Sequence, residues 1–195
     1  MPDSKVLPYL VPPGYIDGQT VSPDGLVRHL GHDVYVMLVH DLDGLCRNVL
    51  PEEVPATVPA LYEEAIENLV ALVKAGEINL AVLKGPRDLP VVVAEGHWTA
   101  AACLLLPRLF EIASEQLGTP DLLAAVPSRG SLLVFRRLDD AYTKAMWQFI
   151  RRAERGEAKL VSNSLFSLTA QGVLPVGPTA PPPKPASFFR RLFGA

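Results

Sequence analysis

The feature that most constrains the fold is a pairing of short apolar segments that occurs twice, each time around a tight link containing Gly and Pro. Residues 78–83 and 90–94 flank the first link, and residues 122–126 and 131–136 flank the second. Segments of this length, rich in Val and Leu and separated by turn residues, are typical of neighbouring antiparallel strands. Helical patterns fall between the pairs rather than after each strand. The sequence therefore predicts an α+β fold, an antiparallel or mixed sheet with helices mainly on one face.

The first helical pattern has clear boundaries. Thr57 is a favourable N-cap, the apolar spacing continues to about Ala75, and Gly76 is a typical helix stop. One polar residue, Asn68, falls on the apolar stripe that is predicted to face the core. We therefore expect Asn68 to be largely buried and to form a hydrogen bond with the backbone of an adjoining segment.

Three further elements can be assigned from local pattern. Residues 33–39 are β-branched and aromatic and predict a buried strand. A second helix falls within 99–117, where Pro107 predicts a kink or a late start. A third helix is expected to begin at Asp139 and to run to about Arg155.

The two ends of the chain differ from its centre. The density of Pro and Gly in 1–30 predicts irregular backbone, so 1–174 is interpreted as a single α+β domain with an irregular N-terminal segment. Residues 175–185 are rich in Pro and predict an extended spacer that does not pack. The segment 175–195 is thus interpreted as a flexible tether that carries a terminal motif.

Composition and charge exclude several classes of protein. The longest apolar stretch, 100–107, is far too short to cross a bilayer, and the first residues lack a signal-peptide pattern. Only two cysteines occur, which favours a reducing cytoplasm over a disulfide framework. Of the 18 basic residues, three lie in 175–195, which contains none of the 21 acidic ones. The tail therefore carries +3 and the body −6, from 15 basic and 21 acidic residues, and such a body is not expected to bind nucleic acid.

Several short motifs together suggest a family. They are Ala65-Ile-Glu-Asn68-Leu69, Gly96-His-Trp98 leading to Leu104-Leu-Leu-Pro-Arg-Leu-Phe110, and Leu123-Ala-Ala-Val-Pro-Ser-Arg129. In these motifs the chain resembles the uncharacterised bacterial YtpQ-like family, over roughly residues 34–174. The resemblance implies a fold and no agreed activity. The family's loop tends to read Pro-x-Arg-Asp, whereas this chain has Gly130 in place of the acid, so any role of that acid is lost here.

Two groups of residues have the chemistry of a metal site or a catalytic pair. His40, Asp41 and Asp43 resemble part of a metal-binding set, but a working site needs further ligands, so a solvated strand end and turn is the favoured interpretation. Cys103 with His97 could form a nucleophile and its base, but Cys103 lies in an apolar run and is interpreted as an inert core thiol. No cofactor motif and no metal site is therefore assigned.

The link in the second strand pair is one of two candidate binding sites. In residues 127–131, Ser128 and Arg129 could present a hydroxyl, backbone N–H groups and a guanidinium to an anion or to a partner's carboxylate. The spacing fits neither a phosphate-binding loop nor a hydrolase nucleophile elbow. The alternative is an ordinary hairpin loop whose arginine is solvated.

The end of the tail is the second candidate. Its apolar residues are spaced four apart around two adjacent arginines, in the order Phe188, Phe189, Arg190, Arg191, Leu192 and Phe193. One or two helical turns would give an aromatic surface beside positive charge, which suits docking on a partner protein or peripheral contact with an anionic membrane. The alternative is that the segment packs onto its own domain.

Because no nucleophile–base pair or phosphate loop stands out, the sequence favours a non-catalytic protein-binding module, of adaptor, chaperone-like or immunity type. The expected partner is another protein. The competing hypothesis is a small hydrolase or transferase whose site is assembled from distant positions. A concave pocket that gathers His40, Asp41, Arg129 and an acid would favour the enzyme, and a flat apolar patch would favour the binding module.

Overall fold

The computed structural model describes residues 5–16, 26–42, 45–54, 57–153 and 160–177. Within these ranges the strands are β1 (Lys5–Val11), β2 (Val27–Gly31), β3 (Val34–Asp41), β4 (Cys46–Asn48), β5 (Asn79–Lys84), β6 (Pro90–Glu95), β7 (Leu122–Ser128), β8 (Ser131–Arg136), β9 (Leu165–Thr169) and β10 (Gly172–Val176). The α-helices are α1 (Val58–Ala75), α2 (Leu109–Leu117) and α3 (Asp140–Ala153), and Ala100–Leu105 forms a 3₁₀ segment.

The described strands form two antiparallel sheets. In the smaller sheet the order is β1-β3-β2, and β4 also pairs with β3, while the larger sheet has the order β10-β9-β7-β8-β6-β5. Both predicted strand pairs are neighbours and antiparallel, with Val82 opposite Val92 in one and Ala124 opposite Val134 in the other. The α+β prediction is therefore confirmed.

The larger sheet separates two apolar clusters, because alternate residues along a strand face opposite sides. Val92 and Val134 face the larger cluster, which contains buried residues of the smaller sheet, α1 and α2. Val93 and Phe135 face the smaller cluster, where α3 supplies Tyr142, Met146 and Ile150. The helices thus lie on both faces of the six-stranded sheet, with α3 alone on its side among the described helices.

The predicted helix boundaries agree closely with the structure. The hydroxyl of Thr57 accepts a hydrogen bond from the backbone N–H of Ala60, and Gly76 ends α1 with a left-handed φ of 75°. The predicted break at Pro107 separates the 3₁₀ segment from α2. Asp139 caps α3 by accepting a 2.6 Å bond from the N–H of Tyr142. None of the helices in the described ranges has the length and apolar character needed to cross a membrane.

The prediction of irregular backbone over 1–30 is wrong for β1 and for most of β2. Pro8 lies within β1, where a proline is tolerated because β1 is an edge strand. The carbonyl of Pro8 points away from β3 and accepts a 2.5 Å bond from the hydroxyl of Thr99. The nitrogen of Pro8 points the same way, so its missing N–H removes no hydrogen bond of the ladder.

The predicted start of the spacer at Pro175 is also wrong, because β10 continues to Val176 and Pro175 pairs with Phe166. Here too the proline lies in an edge strand of its sheet. The division into one domain and a tether stays a prediction, since most of the tether lies outside the described residues.

Candidate functional site

The predicted loop site lies at the turn between β7 and β8. Ser128 is buried, and its hydroxyl lies 3.0 Å from that of Ser131. Arg129 is half-buried, and its Nη1 donates a 2.5 Å hydrogen bond to the hydroxyl of Tyr9. Its guanidinium carbon lies 4.9 Å from the ring centroid of Tyr9 and 4.4 Å from that of Tyr15. Arg129 is therefore held by two aromatic rings of the N-terminal segment.

Further contacts make this loop part of the packing. The carbonyl of Arg129 accepts a 3.1 Å bond from the N–H of Ala101, and Trp98 packs edge-on against Tyr9 with ring centroids 5.3 Å apart. Burial raises the pKa of Tyr9, partly offset by the neighbouring Arg129 charge. This geometry supports a structural role, in which Arg129 joins β1 to the β7–β8 turn. Partner binding by Ser128 and Arg129 stays a prediction.

The other predicted binding residues belong to the tail. Phe188, Phe189, Arg190, Arg191, Leu192 and Phe193 lie outside the described residues. The same holds for Asp43 of the considered metal set. The tail motif therefore stays a prediction from sequence.

His40, considered for metal binding, lies beside an ion pair, and Cys103, considered as a nucleophile, is buried. Glu53 accepts bonds of 2.9 and 2.7 Å from the Arg47 guanidinium, and its Oε2 lies 3.5 Å from Nε2 of His40. The Arg47 hydrogen bonds lower the pKa of Glu53 to about 2. Burial raises the pKa of Cys103 to about 12, so the core thiol is unsuited to nucleophilic attack. Across the described ranges, no group of three His, Cys, Asp or Glu side chains is placed to hold a metal ion.

A concave surface lies elsewhere, between α1 and β2. A cavity of about 730 Å³ is lined on one side by α1 and on the other by β2, with Leu105 and Pro107 also contributing. A cavity of about 330 Å³ shares Leu30, Leu105 and Pro107 with it and extends to the β9–β10 turn. A third, of about 320 Å³, shares Ile66 and Pro107 and extends along α1 to Lys74. Because they share walls, the three cavities form one continuous surface, called here the α1–β2 groove.

The centre of the groove is held rigidly by Tyr62. Its buried hydroxyl donates a proton that the carbonyls of Leu26 and Val36 share, at 3.2 and 3.3 Å, and this links α1 to β3 and to the residue that precedes β2. Burial raises the pKa of Tyr62 to about 12. The guanidinium of Arg28 lies over the same ring, 3.7 Å from its centroid. The wall on the β2 side is therefore fixed by hydrogen bonds and by a cation–π contact.

The lining of the groove is apolar at its base and charged at its edge. Leu30, Ile66 and Leu105 are half-buried, whereas Glu63 and Glu67 on α1 are exposed. These two acids are four residues apart and so lie on the same side of the helix. The residues that line the central cavity, all within the described ranges, include no Ser, Thr or Cys. The groove thus combines an apolar base with charged residues at its edge.

Sequence reasoning missed the groove although a signal was present. Ile66 and Val70 are apolar, four residues apart, and lie beside the buried stripe of α1. An apolar arc wider than one core-facing stripe indicates a second contact surface on a helix. The contributions of Leu30 and Leu105 come from distant parts of the chain and depend on the tertiary fold.

Comparisons with known proteins add no identity. No protein-family model, no curated protein and no solved structure matched the chain.

Proposed function

We propose that this chain is a non-catalytic protein-binding module whose α1–β2 groove binds an amphipathic segment of a partner protein. The observation that carries the proposal is the continuous apolar groove around Pro107, whose exposed edge carries Glu63 and Glu67. The segment that fits would bury aliphatic or aromatic side chains against Ile66 and Leu105. It would place a Lys or Arg beside the two acids.

The groove suits a helix or short peptide for physical reasons. Burial of apolar side chains in a preformed groove would supply most of the binding free energy. The Tyr62 hydroxyl links α1 to the strand side of the groove before a partner binds, and this preorganisation would lower the ordering cost. The acids at the edge would set the orientation of the segment and add a smaller part of the affinity, up to about 1 kcal/mol for each exposed charge pair.

Adaptor, chaperone-like and immunity-type proteins all use surfaces of this kind, and we propose the class without choosing among them. A cytoplasmic setting is supported by the two cysteines, which are both free, one exposed and one buried. Membership of the bacterial YtpQ-like family is proposed on the sequence motifs alone.

The proposal is tested with a fluorescein-labelled amphipathic peptide that has Leu on one face and Lys at its border, followed by fluorescence anisotropy. Reversing both acids of the edge, Glu63→Lys with Glu67→Lys, is expected to raise the Kd about tenfold, since each exposed charge pair contributes up to about 1 kcal/mol. Glu64→Lys is the matched control, because Glu64 is exposed on the same helix and is not among the groove residues. Equal effects of the control and the double variant would contradict the proposal.

A second comparison tests the apolar base. Ile66→Gln removes an apolar side chain from the groove, and Ile112→Gln makes the same change on α2, where Ile112 is 39% exposed. We expect weaker peptide binding only for Ile66→Gln. Circular dichroism of both variants checks that the fold is retained. If neither substitution changes the anisotropy titration, the groove is not the binding surface.

A further inference from the structure

One end of the groove lies beside the strand that leads to the C-terminal tail. Val173 of β10 lines the cavity near the β9–β10 turn. Two residues later, the ring of Pro175 packs against the backbone of Gly31. The contact is so close that a Cβ at position 31 would lie 3.2 Å from Cγ of Pro175. Gly31 follows Leu30, which lines both larger cavities. The chain therefore passes along the wall of the groove just before the described residues end at Gly177.

The tail is long enough to return to the end of the groove beside Val173. Nine residues, 178–186, separate Gly177 from the aromatic-basic motif. Pro-rich sequence can span about 3.1 Å per residue, so this spacer can cover roughly 28 Å. The strand from Val173 to Gly177 covers only about 13 Å at roughly 3.3 Å per residue. The spacer is therefore longer than the distance that the chain has moved from the groove wall.

The chemistry of the motif matches that of the groove. Phe188 and Leu192 are four residues apart, as are Phe189 and Phe193, and this spacing gives one apolar face in a helical conformation. Arg190 and Arg191 would lie near Glu63 and Glu67. Arg28 lines the same cavity, with its guanidinium over the ring of Tyr62, and Lys74 lies at the far end, so these two cations offset part of the negative charge of the acids.

We infer that the aromatic-basic motif, residues 187–193, occupies the α1–β2 groove of its own chain and competes with the partner segment. This inference rests on the proposed function of the groove. Tethering through a short linker gives an effective concentration of about 1 mM. A motif with a Kd of about 0.1 mM would then fill the groove about 90% of the time, and an external peptide would bind about tenfold more weakly.

Paramagnetic broadening on the full chain tests the inference. Cys46, the exposed cysteine, is replaced by Ser, and a nitroxide is attached at Ser187→Cys; Cys103 is buried and stays unlabelled. The expected result is at least about a twofold loss of amide peak intensity at Ile66 and Leu105, consistent with about 90% occupancy. The amide peak intensities of β5 serve as the reference for signals that are not broadened. Undiminished groove signals would overturn the inference.

Two further samples separate the alternatives. In the first sample, ¹⁵N-labelled protein without a spin label is mixed with spin-labelled protein at natural isotope abundance, so any broadening reports contact between copies. Broadening as strong as in the spin-labelled ¹⁵N protein would overturn occupancy within one chain. Addition of vesicles containing phosphatidylglycerol asks whether the motif prefers a membrane. A motif that binds the vesicles and shows no groove broadening in their absence also overturns the inference.

Failure here is distinguishable from failure of the proposed function. The probe peptide of the anisotropy assay is titrated into the full chain and into the variant Phe188→Ser with Phe189→Ser. The inference predicts about tenfold tighter peptide binding by the variant. Equal binding to both proteins would refute tail occupancy while the groove stands as a binding site, whereas no binding to either would refute the proposed function itself.

Discussion

Asn68 offers a direct test of how α1 is attached to the smaller sheet. Its side-chain Nδ2 donates a 3.0 Å hydrogen bond to the carbonyl of Val6, and the side chain is half-buried. Since β1 is an edge strand, this carbonyl points away from β3 and needs a partner outside the ladder. Asn68 thus confirms the predicted backbone hydrogen bond, with somewhat more exposure than predicted.

The magnitude follows from the contacts. Loss of a hydrogen bond that leaves a buried acceptor costs about 1–3 kcal/mol, and partial solvent access places this site in the lower half of that range, at about 1.5 kcal/mol. Asn68→Ala also gains about 0.6 kcal/mol of helix propensity. The net decrease in the free energy of unfolding should be about 1 kcal/mol. Asn68→Asp should cost more, because a carboxylate would replace the donor and face the Val6 carbonyl.

Urea unfolding followed by circular dichroism measures both variants. With a slope of about 2 kcal/mol per M, Asn68→Ala should lower the midpoint by about 0.5 M, and Asn68→Asp by more. Glu64→Ala, on the exposed side of the same helix, is the control and should shift the midpoint little. Unchanged midpoints for both Asn68 variants would refute the role assigned to this hydrogen bond.

Three other predictions concern stability and reactivity. In native protein at pH 8, iodoacetamide should alkylate Cys46 and leave Cys103, whose pKa burial raises to about 12; two adducts in native mass spectra would contradict this. The hydrogen bonds from Arg47 lower the pKa of Glu53 to about 2, so ionised Glu53 stabilises the folded protein at neutral pH, and this contribution is lost as the pH falls from about 4.5 towards 2. An NMR titration midpoint of Glu53 that Arg47→Ala leaves unchanged would disprove the pairing. Arg129→Lys should lower the free energy of unfolding by about 1–2 kcal/mol, because lysine cannot keep the stacked contacts, and an unaltered thermal midpoint would show that they contribute nothing.

Much of the fold could be predicted because local chemistry determines it. The β5–β6 and β7–β8 pairs are joined by short links, so pattern and turn residues suffice to set their pairing. The start of α1 at Thr57 and its end at Gly76 follow from capping chemistry that is visible in a few residues. These features involve little sequence separation.

The features that the sequence did not predict depend on contacts between residues that are far apart along the chain. The proline in β1 indicated irregular backbone because the sequence does not show that its carbonyl bonds to Thr99, 91 residues away. Likewise, nothing local places Arg129 between Tyr9 and Tyr15, so its guanidinium was expected to face a ligand or solvent. The groove depends on Leu30, Ile66 and Leu105 meeting in space. Tertiary contacts of this kind override local propensity.

The most direct test of the central claim is an amide chemical-shift map of the full chain during titration with the Leu-Lys probe peptide. The largest shifts are expected at Leu30, Ile66 and Leu105, and they should saturate together. Glu63→Lys with Glu67→Lys should weaken this response, and Glu64→Lys should leave it intact. Shifts that instead centre on Arg129, or that never saturate, would show that the α1–β2 groove is not the binding site.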